Sequence, residues 1–271
     1  MIFFKTVCSG NDFVHIDLNE KSLADNSQKP KFTRQICNRK SGAGADGVVY
    51  YREHEKSVDF QIFNRDGNEA ELSGNGMAGL ASILFYLDPS RGDIILNTRV
   101  GKRRVGLIDR SGNRFRLSIE IGKADFQAKD FFPFLKENQI KFNHNDIDFY
   151  PVSVGNPHVV VWLEEDLSED QCQMVGEKLA TAPIFPCGTN VEIVKKDHHN
   201  HFQVFFYERG VGKTLSSSTG SAAVFAVLRR MNQIRDHLKI ETPFRKIKIS
   251  GTEKIFVENF CEIVYKGIFL I

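Results

Sequence analysis

The chain has 271 residues, 41% hydrophobic and 26% charged, with a formal net charge of +2. That length allows one large domain or two of moderate size, and the near-neutral balance gives no reason to expect nucleic acid or a membrane surface as partner. No stretch approaches the ~18 apolar residues of a membrane span, and the first ten residues hold no long apolar run, so neither a span nor a secretory leader is expected.

Short strands rich in Val, Ile, Phe and Tyr dominate the predicted elements. The first half reads as a strand over 13–18, a short helix over 32–37, strands over 48–51 and 58–63, and a helix over 75–87. Strands over 93–97, 105–108 and 115–121 follow. The second half gives strands over 151–154 and 158–163, then an amphipathic helix over 169–180 with Cys172, Val175 and Leu179 at helical spacing. Strands over 190–194 and 202–207 lead to a helix over 219–230, and strands over 238–241, 246–250 and 260–265 end the chain. The helices over 75–87 and 219–230 are apolar on most sides, which marks buried helices.

Five cysteines are present, Cys8, Cys37, Cys172, Cys187 and Cys261, with no CxxC spacing. The odd number argues against a disulfide framework or a zinc knuckle and favours a reducing cytoplasm.

The two buried helices belong to an internal repeat. Phe63-Asn64-Arg65-Asp66-Gly67 leads to Glu71-Leu72-Ser73-Gly74-Asn75-Gly76, and Tyr207-Glu208-Arg209-Gly210 leads to Thr214-Leu215-Ser216-Ser217-Ser218-Thr219-Gly220. Asn64 precedes Ser73 by nine residues, as Glu208 precedes Ser217. Each unit reads as strand, glycine-bearing loop, serine and buried helix. The expected architecture is α+β: two pseudo-symmetric halves, each a barrel-like sheet around a central helix, with a site in the cleft between them. The expected division is 1–120, joined by 262–271, and 121–261.

The first N–H groups of a helix lack internal partners and sit at the positive end of its dipole, so paired helix starts suit a carboxylate. A carboxylate held there acidifies the neighbouring α-carbon by stabilising the developing charge. Asn11, Asn64, Asn156, Asn190 and the Glu208-Arg209 pair are candidate amino-acid contacts. Each alone also reads as a turn residue, and Ser73 and Ser217 also read as helix N-caps.

Taken together, Ser9-Gly10-Asn11-Asp12-Phe13-Val14, Gly42-Ala43-Gly44-Ala45-Asp46-Gly47, Phe63 to Glu71, Gly74-Asn75-Gly76, Gly155-Asn156-Pro157-His158, Asn190, Glu208-Arg209-Gly210-Val211-Gly212, Thr214-Leu215, Thr219-Gly220 and Val264-Tyr265-Lys266-Gly267 resemble the diaminopimelate epimerase family, in family order. The resemblance implies a cytoplasmic isomerase with no pyridoxal phosphate, no other cofactor and no metal. It implies two acid–base groups, one removing the α-proton and the other reprotonating the opposite face. Implied substrate contacts are Asn11, Asn64, Gly74, Asn75, Asn156, Asn190, Glu208, Arg209, Ser218 and Thr219. His158 and Glu208 match residues that tune the acid–base pair, and Tyr265 matches a tyrosine at the interface of a homodimer.

The sequence departs from the family where the chemistry falls. Ser73 and Ser217 stand at the two catalytic cysteine positions, Ser218 replaces a glycine, and Ala78-Gly79 replaces an Arg-Cys pair. A thiol has a pKa of about 8.5 and a hydroxyl close to that of water, about 15.7. The gap of about seven units corresponds to about 10 kcal/mol. Three readings follow: serines activated by neighbours such as Glu208 and His158, a one-base isomerase with Glu208 or His158 as direct base, or an amino-acid-binding homologue without turnover.

Other motifs are set aside. Gly42 to Gly47 spells GxGxxG after a helix and before a strand, the reverse of a dinucleotide site, and Gly74 to Gly79 is explained by the repeat. Gly212-Lys213-Thr214 lacks the earlier glycine of a P-loop, because Tyr207 stands there. Asp197-His198-His199-Asn200-His201 reads as a solvated turn rather than a metal site.

Overall fold

The computed structural model describes residues 1–19, 27–136, 139, 141–144, 146–163, 167–196, 202–242 and 246–270. The histidine-bearing stretch 197–201 lies outside the described residues. In chain order the elements are β1 (Ile2–Cys8), β2 (Asn11–Asp17), α1 (Lys29–Cys37), β3 (Gly47–Glu53), β4 (Val58–Asn64), β5 (Glu69–Ala70) and α2 (Gly74–Leu87). Then come β6 (Ile94–Thr98), β7 (Gly101–Ser111), β8 (Arg114–Gly122), β9 (Phe142–His144), β10 (Ile147–Ser153) and β11 (Pro157–Leu163). The chain continues with α3 (Glu169–Ala180), β12 (Asn190–Lys196), β13 (Phe202–Glu208), β14 (Gly212–Thr214) and α4 (Ser218–Arg230). It closes with β15 (His237–Glu241), β16 (Lys246–Gly251) and β17 (Ile255–Ile268).

Two compact units form, one from Met1–Glu120 with Glu258–Ile271, the other from Ile121–Val257. The division falls within β17, whose first residues, Ile255–Val257, pair with β16 of the second unit and whose later residues pair with β1 of the first.

In the first unit the order β1-β2-β3-β4-β6-β7-β8-β17 returns to β1, a closed barrel of eight strands. Closure leaves no unpaired edge. Every residue of α2 from Gly74 to Phe85 is buried, which its all-round apolar sequence requires. Outside the barrel, Ile36 and Cys37 of α1 pack with Val14, Ile16, Val48, Tyr50 and Phe63.

The second unit repeats the pairing scheme. β1–β2 is antiparallel, β2–β3 parallel, β3–β4 and β4–β5 antiparallel, β4–β6 parallel and β6–β7 antiparallel. β10–β11, β11–β12, β12–β13, β13–β14, β13–β15 and β15–β16 follow the same series. Each parallel step is made by a crossover that carries a helix, α1 or α3 after the second strand and α2 or α4 after the fifth. α4 is buried from Ser218 to Leu228. α3 is fixed by a Ser168–Gln171 capping box and lays Cys172, Val175 and Leu179 on a core of Phe132, Phe142, Phe149 and Phe185.

Two expectations need correction. β1 was not among the predicted strands: its buried Lys5 interrupts the apolar alternation, and ion pairing with Asp12 at 2.7 Å makes that burial tolerable. Cys8 and Cys261, directly opposite on β1 and β17, form a disulfide, although no disulfide framework was expected. Strand register brings together two residues that no sequence spacing links. Cys37, Cys172 and Cys187 are free thiols. Among the described residues, no helix is long and apolar enough to cross a membrane, and no cluster of ligands suited to a metal occurs.

Candidate active site

Ser73 and Ser217 cap the two buried helices with nearly the same backbone, φ −145° and ψ 115° against φ −136° and ψ 127°. Each Oγ accepts from the N–H three residues on, Gly76 at 3.1 Å and Gly220 at 3.2 Å. The N-cap reading of both serines therefore holds. The remaining first-turn N–H groups sit at the positive helix end.

Around the start of α2 the polar groups are carboxamides. Asn75 Nδ2 donates to Asn11 Oδ1 at 2.6 Å, and Asn75 Oδ1 accepts from Asn259 Nδ2 at 2.7 Å. Asn11 Nδ2 lies 3.5 Å from Asp46 Oδ2. Beside this row Asp12 pairs with Lys5 and with Arg39. Burial opposes the Asp12 charge, but hydrogen bonds from Arg39 and Lys5 outweigh it and hold its pKa at about 2. Asp46 is pushed up, by burial first and then by the Asp12 charge. Asn64 ends β4 opposite Gly47, where a turn closed by Gly67 N–H to Asn64 O begins.

His15 lies beneath α2, where a Cβ on Gly79 would stand 2.6 Å from His15 Nε2, so α2 needs glycine there. Its Nε2 meets Thr6 Oγ1 at 2.8 Å. Burial, helped by the Lys5 charge, lowers its pKa to about 3. It is a neutral core histidine.

Around the start of α4 the groups are titratable. His158 Nδ1 meets Glu192 Oε1 at 2.8 Å, and Nε2 meets Asn156 Oδ1 at 3.0 Å. Both ring nitrogens are taken up by side-chain oxygens. Glu192 is fully buried against the first turn of α4: a Cβ on Gly220 would lie 2.5 Å from Oε1, so only glycine fits. Among the described residues, four side-chain atoms are buried without a hydrogen-bond partner: Glu192 Oε2, Thr214 Oγ1 and Ser216 Oγ in this half, and His15 Nδ1 in the first.

The remaining candidates of this half form a backbone clamp. Asn190 Nδ2 donates to Pro157 O at 2.8 Å, and Asn190 Oδ1 accepts from Arg209 N at 3.0 Å. Arg209 Nη1 donates to Cys187 O at 2.7 Å. Glu208 ends β13 opposite Gly212. Ser218 and Thr219 are buried in the first turn of α4, with Thr219 Oγ1 3.4 Å from Ser217 Oγ. The structure thus joins Asn11 to Asn75, Asn156 to His158 and Asn190 to Arg209. Tyr265 is 42% exposed and packs edge-on against Phe3.

Glu192 and Asn259 were missed by the sequence reading. Asn259 carried a signal, because strand alternation puts it inward with Val257 and Cys261, whereas Glu192 in Asn190-Val191-Glu192 reads outward by alternation.

Known proteins share this fold. A hydroxyproline epimerase from Agrobacterium vitis superposes with a TM-score of 0.71 over 99% of this chain and 89% of its own, at 12% identity. A phenazine biosynthesis protein of the PhzF family from Bacillus anthracis gives 0.68 over 100% and 99%, at 16% identity. The sequence model of diaminopimelate epimerase matches residues 3–126 and 150–258. The diaminopimelate epimerase of Natranaerobius thermophilus is 31% identical, covering 98% of this chain and 97% of that one. The protein is an isomerase of the racemase and epimerase type. Within that class, the chain belongs to the diaminopimelate epimerase family.

Proposed function

We propose that this protein inverts an amino-acid α-carbon, converting LL-diaminopimelate to the meso form on the route to lysine and peptidoglycan precursors. Ser73 and Ser217 occupy the two acid–base positions. The observation that carries the reading is the repeated helix start, with a serine Oγ at the same cap position in both halves. First-turn N–H groups of a buried helix suit an α-carboxylate, and such binding lowers the barrier to losing the α-proton. The positions that match the family's substrate contacts are Asn11, Asn64, Gly74 and Asn75 in the first unit and Asn156, Asn190, Glu208, Arg209, Ser218 and Thr219 in the second. With one serine ionised, its alkoxide takes the α-proton while the hydroxyl of the other gives its proton to the opposite face of the carbanion; the ionised state passes from one serine to the other, and the product carries a new α-hydrogen with inverted configuration.

A hydroxyl is a far weaker resting base than a thiolate, so turnover is expected to be slow. His158 and Glu208 tune the acid–base pair. A second reading, a one-base isomerase that uses His158 or Glu208 directly, requires His158 to release its Asn156 or Glu192 contact or Glu208 to act alone. Exposed Val264, Tyr265 and Ile268 on β17 support a homodimer.

The test is deuterium uptake at the α-carbon of LL- and meso-diaminopimelate in heavy water. Uptake with both stereoisomers is expected. A ligand-induced thermal shift without uptake leaves an amino-acid-binding protein, and no uptake where a cysteine-bearing relative is active removes the epimerase assignment.

A further inference from the structure

Asn259 lies on β17, 2% exposed, and no sequence motif marks it. Its side chain nevertheless has a fixed direction. Phe260 N–H donates to Asn259 Oδ1 at 2.7 Å, and Ser9 Oγ donates to the same oxygen at 2.6 Å. A backbone N–H can only donate, so this end of the carboxamide is the oxygen and the nitrogen faces Asn75. Asn75 must then turn its oxygen to Asn259 and its nitrogen to Asn11. Asn11 in turn directs its nitrogen towards Asp46 Oδ2, which also accepts from Asp12 N at 3.2 Å. A donor-only group at one end and an accepting carboxylate oxygen at the other specify the same direction for the whole row. Ser9 sits in the left-handed region at φ 51°, uncommon for a residue with a side chain, and its hydroxyl bond to Asn259 accompanies that backbone.

We propose that Asn259 is a positioning residue that sets the direction of the Asn259–Asn75–Asn11 row, and through it the way Asn75 and Asn11 face a bound amino acid. The inference rests on the reading that Asn11 and Asn75 contact substrate. Asn259 need not touch the substrate. It acts because a carboxamide turned end for end presents an oxygen where a carboxylate requires a donor.

The test compares Asn259→Asp with Asn259→Ala by calorimetric titration of meso-diaminopimelate, each as a ratio to wild type at the same pH. Aspartate keeps the shape but at pH 8 offers only acceptors, so it opposes the Asn75 oxygen. Protonated, it again has one donor and one acceptor. The Asp variant is expected to bind at least about tenfold more weakly at pH 8, no better than the Ala variant, and to recover most of the loss at pH 5.5. A space-filling role gives the reverse: the isosteric Asp close to wild type at both pH values and Ala worse, which overturns the proposal. If wild type binds no diaminopimelate, the functional reading fails, and atomic-resolution structures of the Asp variant decide on the row alone. Asn75 turned end for end at pH 8 and restored at pH 5.5 upholds it, whereas Asn75 unchanged at both refutes it.

Discussion

The two helix starts share a backbone and differ in what surrounds them. Phe13 pairs with Gly47 in parallel as His158 pairs with Asn190, and Val49 faces Ile62 as Glu192 faces Phe206. Along that second row the neighbour on the other side is His15 in the first half and Val160 in the second. The first half therefore reads His15, Val49, Ile62 where the second reads Val160, Glu192, Phe206. Both rows hold one buried ionisable group under the helix, in different columns and with opposite consequences. His15 has one nitrogen bonded and is held neutral at ordinary pH. Glu192 is tied to an imidazole and abuts the helix start. Repetition of pairing fixed the two backbones, and substitution at equivalent strand positions divided the labour. One half sets a carboxamide row, adjoined by the Lys5–Asp12–Arg39–Asp46 cluster, at its helix start, and the other the His158–Glu192 pair.

The largest test of that division concerns the serines. Thiols at positions 73 and 217 bring the acid–base groups about 10 kcal/mol closer to ionisation at neutral pH. Ser73→Cys/Ser217→Cys is expected to raise the α-proton exchange rate by at least about 100-fold, corresponding to only about 2.7 kcal/mol of that gap. Exchange measured on the two single variants sharpens the comparison. Ser217→Cys, capping the helix beside the Glu192–His158 pair, is expected to gain more than Ser73→Cys. Equal gains would show that the surroundings do not matter to the chemistry.

The next effect is on stability. Removing one partner of a buried hydrogen-bonded pair strands the other and leaves a cavity, so Glu192→Ala is expected to lose about 2–4 kcal/mol by denaturant titration. Val49→Ala, at the equivalent position, removes only two methyl groups and is expected to lose about 2 kcal/mol or less. The double variant His158→Phe/Glu192→Val copies the first half into the second. Replacing a buried pair by apolar groups is near neutral for folding, so this variant is expected to stay folded while losing α-proton exchange. An unfolded double variant would mean that the pair is structural.

His15 supplies a pH signature for the first half. Its folded pKa of about 3, lowered by burial first and then by Lys5, lies below the usual 6.5. The unfolded chain therefore binds this proton first, and stability is full above pH 6.5 and falls as pH drops towards 3. The slope approaches about 1.4 kcal/mol per pH unit below the unfolded pKa, so the loss between pH 6.5 and 4.5 is about 2 kcal/mol. Asp12, held at about 2 by its Arg39 and Lys5 bonds against the effect of burial, loses its contribution only below pH 4. His15→Val, which copies Val160 into the first half, is expected to flatten the upper part of the acid limb and leave the lower part. An unchanged limb between pH 6.5 and 4.5 would show that His15 is not the group responsible.

What the sequence made legible follows the same division. The buried helices, their serine caps and the repeat were readable because local chemistry dictates them: small apolar residues all round a helix, a hydroxyl before it, glycines in the approach. The pairing of Asn11 with Asn75, and of Cys8 with Cys261, was not, because register joins strands remote in sequence. Glu192 was hidden for another reason. A single glutamate in Asn190-Val191-Glu192 reads as a solvent-facing alternation unless the strand is known to be buried on both faces. The assignment of His158 and Glu208 as the tuning groups came from resemblance alone, and the geometry adds that both nitrogens of His158 are taken by Asn156 and Glu192.

The smallest expected effect is the most symmetric. Each serine satisfies one otherwise unpaired helix N–H with the same geometry. Losing such a cap costs about 0.5–2 kcal/mol. Ser73→Ala and Ser217→Ala should therefore lower stability by similar amounts, and Ser→Gly at either position by only a few tenths of a kcal/mol. Similar stability losses with dissimilar losses of exchange would separate the two roles of one hydroxyl, because capping depends on the shared backbone and proton transfer on what lies beside it. If instead stability and exchange fall together at both positions, the caps act by holding the helix starts in place, and the unequal surroundings of α2 and α4 have no catalytic meaning.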